Sequence, residues 1–179
     1  SFSMSKETSL KSVVTIVDEI FQAYERMRDI CKFAAYNRRI CDAMIRRVYS
    51  VVFKLRDMLK IRINEDNKFY ENMKFYIQEN HFTTWEFYSY DNYFTMQQLL
   101  NNIHDMEKFI DELSHLRTYF TGKSIETTFY ELTKAFDMYV KALNVKIDVD
   151  VNFEYLLLTM DIKSFEKHFD RFKFALSTM

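Results

Sequence analysis

From Lys32 to Tyr49 the sequence reads KFAAYNRRICDAMIRRVY, and it continues to Arg62 without a glycine or a proline. Apolar residues in this stretch recur with spacings of 3-4-3-4-3, at Cys41, Met44, Val48, Val51, Leu55 and Met58. This period places them on one face of an α-helix. The stretch therefore predicts a long amphipathic helix, around which the other segments can be arranged.

The composition of the chain supports a helical fold. Its 179 residues include one glycine, Gly122, and no proline. Strand-rich folds need turn residues every few positions, so this composition favours a few long helices. No apolar run approaches the roughly 18 residues of a membrane-spanning helix, and no secretory signal is recognisable. We therefore expect Cys31 and Cys41 to be reduced thiols of a core rather than a disulfide.

Three further segments show the same helical period, and each is predicted to bury one face. The first spans about residues 9–31, with Val13, Val17, Ile20, Tyr24, Met27 and Cys31 on its stripe. Two more follow, with Met96, Leu99, Ile103, Met106, Ile110 and Leu113, and with Ile125, Phe129, Leu132, Phe136, Tyr139 and Leu143. Gly122 is expected to end the third helix and Ser124 to cap the fourth. Such stripes can be buried only against one another, which predicts an all-α antiparallel four-helix bundle over residues 4–147.

Two segments lie outside this repeat. Residues 64–94 are rich in aromatic side chains and predict an irregular connection between helices 2 and 3, with most of its rings in packing rather than in a ligand platform. Residues 148–179 predict a brace-like helical tail that packs on the bundle through Phe153, Leu157, Phe165, Phe169 and Phe172. Residues 1–3, ahead of Met4, are expected to be an artificial extension, and the end at Met179 to be a cut within a longer protein.

The charge of the chain is distributed unevenly. Between Arg26 and Arg62 there are eleven Lys or Arg residues and three Asp or Glu residues, a local charge of +8 in a chain of net charge -1. Residues 63–150 carry a charge of -7. The basic stretch is therefore either a surface for an anionic partner or the internal partner of acidic helices. Both interpretations remain open at the level of sequence.

Motifs that carry catalysis are missing from the sequence. It contains no glycine-rich phosphate loop, no nucleophile elbow and no Cys-x-x-Cys or His-Glu-x-x-His spacing. The four histidines, His81, His104, His115 and His168, are scattered and do not form a metal-binding pattern. A pI of about 6.4 without a recognised motif argues against nucleic-acid binding. We expect a protein that is not an enzyme and that uses no cofactor or metal.

Two stretches resemble a known family. The first is Tyr36-Asn-Arg-Arg-Ile-Cys41 with Met44 and Arg46-Arg-Val48, and the second is Leu116-Arg-Thr-Tyr-Phe-Thr121 with the stripe of helix 4. They are similar to the N-terminal helical domains of fungal kinase-like and Sel1-repeat proteins. Through these the chain resembles the mixed lineage kinase domain-like and HeLo cell-death family, over about residues 10–147.

The resemblance implies a function at a membrane. It implies a cytoplasmic N-terminal effector domain, recruited peripherally to the membrane when a downstream kinase-like or repeat region activates it. Such a domain would assemble with copies of itself, bind anionic phospholipids and permeabilise the bilayer. The residues expected to contact lipid head groups are Arg38, Arg39, Arg46 and Arg47, with Lys54 and Lys60 in support, and Phe53 could enter the interface. The alternative is a helical adaptor or oligomerisation module in signalling that does not lyse membranes.

Overall fold

The computed structural model describes residues 6–59, 90–115 and 120–178 of the chain. These residues form five helices and no strand. The helices are α1 (Lys6–Cys31), α2 (Arg38–Leu59), α3 (Tyr90–His115), α4 (Gly122–Ala142) and α5 (Val151–Ser177). The all-helical prediction is confirmed for this part of the chain.

The apolar stripes of the first four helices meet in one core. Ile20, Met44, Ile103 and Phe136, one from each helix, are each 0% exposed. Burying a side chain of this size stabilises the folded state by about 1.5–3 kcal/mol relative to leaving it in water. The helical period read from the sequence therefore identified the buried face of each of these helices.

The five helices pack antiparallel, with contacts typical of a helix bundle. α1 packs against α2 and α3, and α3 packs against α4. α5 contacts both α2 and α4, and so lies between them. Leu158 and Phe165 of α5 are buried in the same core as the other stripes. The tail predicted from the sequence is thus one long helix, Val151–Ser177, that shares the core of the domain.

The start of α4 differs from its sequence-based prediction. Thr121 is the N-cap residue, and its side chain accepts a hydrogen bond from the backbone N–H of Ser124, whose hydroxyl in turn accepts one from the N–H of Thr121. Gly122 is the first residue of α4 and does not end α3. An added Cβ there would lie 2.0 Å from Oε1 of Glu166 and 2.9 Å from Cγ2 of Ile162. Glycine therefore allows α5 to approach the first turn of α4, a role that the sequence around it does not reveal.

The end of α4 is closed by a Schellman motif. Asn144 adopts a left-handed conformation, with a φ of 58°. Its backbone N–H donates to the carbonyl of Lys141 at 3.0 Å, and the N–H of Val145 donates to the carbonyl of Val140 at 3.2 Å. Asparagine tolerates this conformation better than most residues with a side chain. The motif turns the chain out of α4 toward α5.

Residues 145–150 belong to no helix or strand and lead directly into α5. The side chain of Asp150 accepts a hydrogen bond from the backbone N–H of Phe153 at 3.0 Å, and its carbonyl accepts one from the N–H of Glu154 at 3.0 Å. Asp150 therefore caps the N-terminus of α5. This cap fixes the point at which α5 begins to pack along α2.

Some predictions fall on residues outside the described ranges. Residues 60–89 hold most of the aromatic-rich connection and also Lys60, and residues 90–94 at its end belong to α3. The side chain of Phe172 likewise lies outside the described part of the chain. The predictions for these residues stay predictions.

Candidate functional site

A buried arginine joins α2 to α4 and α5. Nε of Arg47 donates to Oε2 of Glu154 at 2.8 Å, and Nη2 donates to Oε1 of the same carboxylate. Nη1 of Arg47 donates to Oδ1 of Asp137 on α4. The side chains of Arg47, Glu154 and Asp137 are 4%, 10% and 50% exposed. One guanidinium therefore holds two carboxylates from two other helices, with its bidentate pair almost fully out of water.

The electrostatic balance at Arg47 depends on this burial. Ions removed from water lose their hydration, and only close, well-oriented partners compensate for that loss. Burial raises the pKa of the Asp137 carboxyl above its usual range, and Arg47 acts in the opposite direction. The bidentate contact to Glu154 is thus the stronger anchor, and the half-exposed Asp137 completes the arrangement.

A second carboxylate of α5 reaches the first turn of α2. Oδ2 of Asp161 accepts a hydrogen bond from the backbone N–H of Ile40 at 2.7 Å, and Oδ1 accepts one from Nη1 of Arg39 at 3.3 Å. Asp161 is 1% exposed. The first N–H groups of a helix have no partner within the helix, and Asp161 supplies one from a distant part of the chain. Burial raises the pKa of Asp161, while these hydrogen bonds lower it.

The sequence contains a signal for these contacts that its apolar periodicity alone does not show. Glu154, Leu158, Asp161 and Phe165 follow a 4-3-4 spacing, and all four are buried. The buried face of α5 therefore carries two acidic residues among apolar ones. Acidic residues on a helix stripe predict basic partners in the core, because a buried charge must be paired.

The structure separates the residues predicted to contact lipid. Arg38, Arg46 and Lys54 are exposed and form no ion pair with any carboxylate of the described residues. Arg39 is half-exposed and bound to Asp161, and Arg47 is buried. Arg47 therefore cannot reach a lipid head group in this arrangement. Of the two uses of the basic stretch left open by the sequence, the internal one is therefore present for Arg39 and Arg47, whereas Arg38, Arg46 and Lys54 face solvent.

Exposed aromatic rings lie on the same side of α2 as exposed basic residues. Tyr49 and Phe53 are 51% and 55% exposed, and their rings stack with centroids 6.2 Å apart. Tyr49 also meets Tyr24 of α1 at 5.6 Å, and the guanidinium of Arg28 lies 5.8 Å from the Tyr24 ring. These rings form one surface with Arg28, Arg46 and Lys54, which we call the aromatic–basic face. It combines the two side-chain classes that bind at membrane interfaces.

The residues predicted to hold the tail are not equivalent. Phe165 is buried, and Phe169 is partly buried and stacks on it with ring centroids 6.2 Å apart. Leu157 is partly buried against the core. Phe153 is exposed, and its ring lies 5.8 Å from the guanidinium of Arg46. Of these four described residues Phe165 is therefore the main apolar anchor, whereas Phe153 covers an exposed arginine.

The outward side of α5 carries an apolar strip. Tyr155, Leu156 and Met160 are exposed there, and Tyr130 of α4 is exposed nearby. Partial burial, together with Glu126 and Tyr155, raises the pKa of the Tyr130 hydroxyl. We call these four residues the outer strip. It is a second surface on which another molecule could pack.

Glu107 of α3 pairs with an arginine of α1 and not with the basic residues of α2. Glu107 accepts two hydrogen bonds from Arg26 of α1, from Nε at 2.6 Å and from Nη2 at 3.2 Å. The hydrogen bond to Glu107 raises the pKa of Arg26. This exposed bidentate pair links α1 to α3. The described basic residues of α2 instead pair with carboxylates of α4 and α5 or face solvent.

No helix within the described ranges is long and apolar enough to cross a membrane. Among the same residues, no group of three or more His, Cys, Asp or Glu side chains could hold a metal ion. No protein-family model, no curated protein and no solved structure matches the chain. What the structure establishes is an all-helical domain whose described part contains five antiparallel helices.

Proposed function

We propose that the chain is a regulated effector domain that binds anionic phospholipid membranes through its aromatic–basic face together with the exposed Arg38 of the same helix α2. In this proposal α1 to α4 form a four-helix bundle, and α5 is the brace that restrains it. A kinase-like or repeat region of the same protein would control the domain, which acts in the cytoplasm and moves to the membrane on activation. Self-assembly there would lead to permeabilisation.

One observation carries the proposal: α5 holds two of the predicted lipid-binding arginines, while the aromatic–basic face stays open. Glu154 and Asp161 bind Arg47 and Arg39, so release of α5 would free two cations next to Arg38 and Arg46. The same movement would expose the apolar residues that pack α5 on the core. Charge and apolar surface would then become available together, which is what an interfacial helix needs.

The electrostatic binding free energies before and after release of α5 differ enough for regulated binding to the membrane. Each basic residue near an anionic leaflet contributes about 1 kcal/mol. Arg38, Arg46 and Lys54 would therefore supply about 3 kcal/mol in the closed arrangement, which gives weak binding. Freeing Arg39 and Arg47 would raise this to about 5 kcal/mol, close to a thirtyfold gain in the binding constant.

The proposal can be tested with vesicles that contain phosphatidylcholine alone or phosphatidylcholine with phosphatidylserine. We expect sedimentation with the anionic vesicles only, weakening steeply as salt rises, because the attraction acts over about 8 Å at physiological ionic strength. The triple variant Arg38→Glu, Arg46→Glu, Lys54→Glu should lose this binding. A matched control is Lys123→Glu, Lys134→Glu, Lys146→Glu, which changes the net charge equally at exposed positions elsewhere.

The restraining role of α5 has its own test in the same assay. The double variant Glu154→Ala, Asp161→Ala should bind anionic vesicles more tightly than the wild type and release an entrapped dye at lower protein concentration. Equal loss of binding in the two triple variants would show a general charge effect and contradict a specific face. Failure of both the wild type and the double variant to bind would contradict the proposal as a whole.

The outer strip favours a second candidate function, that of a helical adaptor or oligomerisation module without membrane activity. Tyr155, Leu156 and Met160 present apolar surface on an exposed face of α5 while it is docked. Sedimentation equilibrium distinguishes the two functions. If Leu156→Glu abolishes a self-association that the wild type shows without lipid, and neither protein binds vesicles, the adaptor function is the better one.

A further inference from the structure

Two polar contacts set the register of α5 along α2. Glu154 binds the guanidinium of Arg47 with both carboxylate oxygens, and Asp161 accepts a hydrogen bond from the backbone N–H of Ile40 at 2.7 Å. The two acidic residues are seven residues apart on α5, and their two partners are seven residues apart on α2 in the opposite order. Because a helix rises about 1.5 Å per residue, antiparallel helices bring both pairs of groups into contact together.

Apolar side chains of α5 fill the groove between α2 and α4 around these two points. Leu158 is 1% exposed and Phe165 is 6% exposed, and both lie in the shared core of the domain. An occupant of this groove must therefore present an apolar helix face that carries two carboxylates at the same spacing. A helix without them would leave the Arg47 guanidinium buried without its main partner, which is strongly unfavourable. The α5 helix of a second copy meets these requirements, because it has the same sequence.

The linker from α4 to α5 can move without loss of hydrogen bonds. The N–H of Val145 donates back to the carbonyl of Val140 in α4, and the N–H of Glu154 donates back to the residue that caps α5. Between these two bonds, residues 146–149 form no hydrogen bond or ion pair within the part of the chain that the structure describes. Ile147 packs partly against the core. The linker is therefore held by apolar packing alone, and α5 can leave the groove while both helix ends keep their caps.

We propose that α5, once released, docks in the α2–α4 groove of a second copy, so that two chains exchange this helix and form a closed dimer. The inference rests on the release of α5 in the proposed function, and it names the contact through which copies of the domain assemble. Each groove would contain the same ion pair and the same apolar face as in the single chain, so exchange needs no new interface. A short linker keeps α5 at an effective concentration in the millimolar range, so the closed monomer predominates until copies are concentrated, as on a membrane surface.

The first test uses two full-length variants in sedimentation velocity without lipid. In Arg47→Glu the groove repels its own Glu154, and in Glu154→Arg the retained Arg47 faces a cation on α5. Neither chain can close on itself favourably, whereas exchange between the two chains brings opposite charges together in both grooves. We expect the equimolar mixture to form a heterodimer at a protein concentration at least about a hundredfold below that at which the wild type dimerises, because exchange removes a buried like-charge contact from each chain.

The matched control replaces the first variant by Arg46→Glu. Arg46 is the exposed neighbour of Arg47, and it forms no ion pair with Glu154. The mixture of Arg46→Glu with Glu154→Arg should therefore form no heterodimer at the concentration at which the first mixture does. A heterodimer of equal strength in both mixtures would show a general effect of charge and would contradict exchange through this pair.

A second test uses the wild-type chain alone and so does not depend on the folding of any variant. Unlabelled and isotopically labelled proteins are mixed at millimolar concentration, warmed to the onset of melting, cooled, and treated with a carbodiimide that joins lysine to carboxylate side chains. In the dimer fraction, exchange predicts crosslinked α2–α5 peptides with one labelled and one unlabelled partner as often as with two alike. In a closed chain both peptides come from the same copy and carry the same label.

Three outcomes would overturn the proposal. They are the absence of a heterodimer from the first mixture while both variants keep their helical circular dichroism, a wild-type dimer whose α2–α5 crosslinks all carry a single label, and a wild type that stays monomeric after this treatment. If either variant unfolds, the crosslinks of the wild type decide. None of these experiments contains lipid, so a failure of exchange is distinguishable from a failure of vesicle binding.

Discussion

Replacing Glu154 by glutamine should destabilise the domain by about 3 kcal/mol. The change removes the charge that faces Arg47, whose side chain is 4% exposed, and leaves a buried guanidinium with only the half-exposed Asp137. Removing one partner of a buried ion pair typically costs about 3–5 kcal/mol, and the remaining contact to Asp137 places this case at the lower end. For a chain of this size the loss corresponds to a fall in melting temperature of about 6–12 °C.

A double-mutant cycle isolates the pair itself. Arg47→Met and Glu154→Met should each cost a similar amount, since each leaves a buried charge without its main partner. Arg47→Met combined with Glu154→Met should recover most of the loss, because an apolar pair of similar volume avoids the cost of dehydrating two charges. Urea unfolding followed by far-ultraviolet circular dichroism measures the free energy of unfolding of all four proteins.

The neighbouring arginine is the control. Arg46→Met removes an exposed guanidinium that lies 5.8 Å from the Phe153 ring, and should cost no more than about 1 kcal/mol. If Glu154→Gln stays within about 0.5 kcal/mol of the wild type, the pair is not dehydrated and α5 is not held on α2 in solution.

Two further predictions concern single residues. Burial raises the pKa of the Asp161 carboxyl, so this carboxyl binds a proton more readily in the folded state than in the unfolded state. Its contribution to the stability of the fold is therefore lost as pH rises through the folded-state pKa. The melting temperature of the wild type relative to Asp161→Asn should therefore increase as pH is lowered from neutral toward about 4, and a decrease would show that Ile40 and Arg39 outweigh burial. At Asn144, whose φ is 58°, glycine should be tolerated, whereas valine should cost about 1–2 kcal/mol of unfolding free energy. Equal stability of these two variants would contradict the left-handed turn.

The sequence predicted the helices well because their period is a local property. Cys41, Met44 and Val48 share one face of any helix that contains them, and the structure buries that face. Local period does not state which helix packs on which. Arg47 adjoins this stripe, and nothing near it in sequence indicates that Glu154, 107 residues later, would bury it. The helical period thus placed the basic residues around the buried stripe, but it did not predict which of them α5 covers.

The role of Gly122 at the start of α4 likewise depends on a contact that is distant in sequence. Gly122 suggested a helix end, since glycine is common there. The structure instead uses the missing side chain to admit Ile162 and Glu166 of α5. A glycine required by a neighbouring helix and a glycine required by a turn look identical in a single sequence. Only the packing of α5 on α4 distinguishes them.

The position of α5 between α2 and α4 also sets the order in which the domain can fold. Helices that are neighbours in the chain, such as α1 and α2, can pair early, because closing a short loop costs little entropy. The groove between α2 and α4 can be filled only after α5 has been synthesised, and α5 is the last of the five described helices in the chain. Until then Arg47 and the first backbone N–H groups of α2 remain in water. A nascent chain that still lacks α5 would therefore display both these cations and an unfilled core.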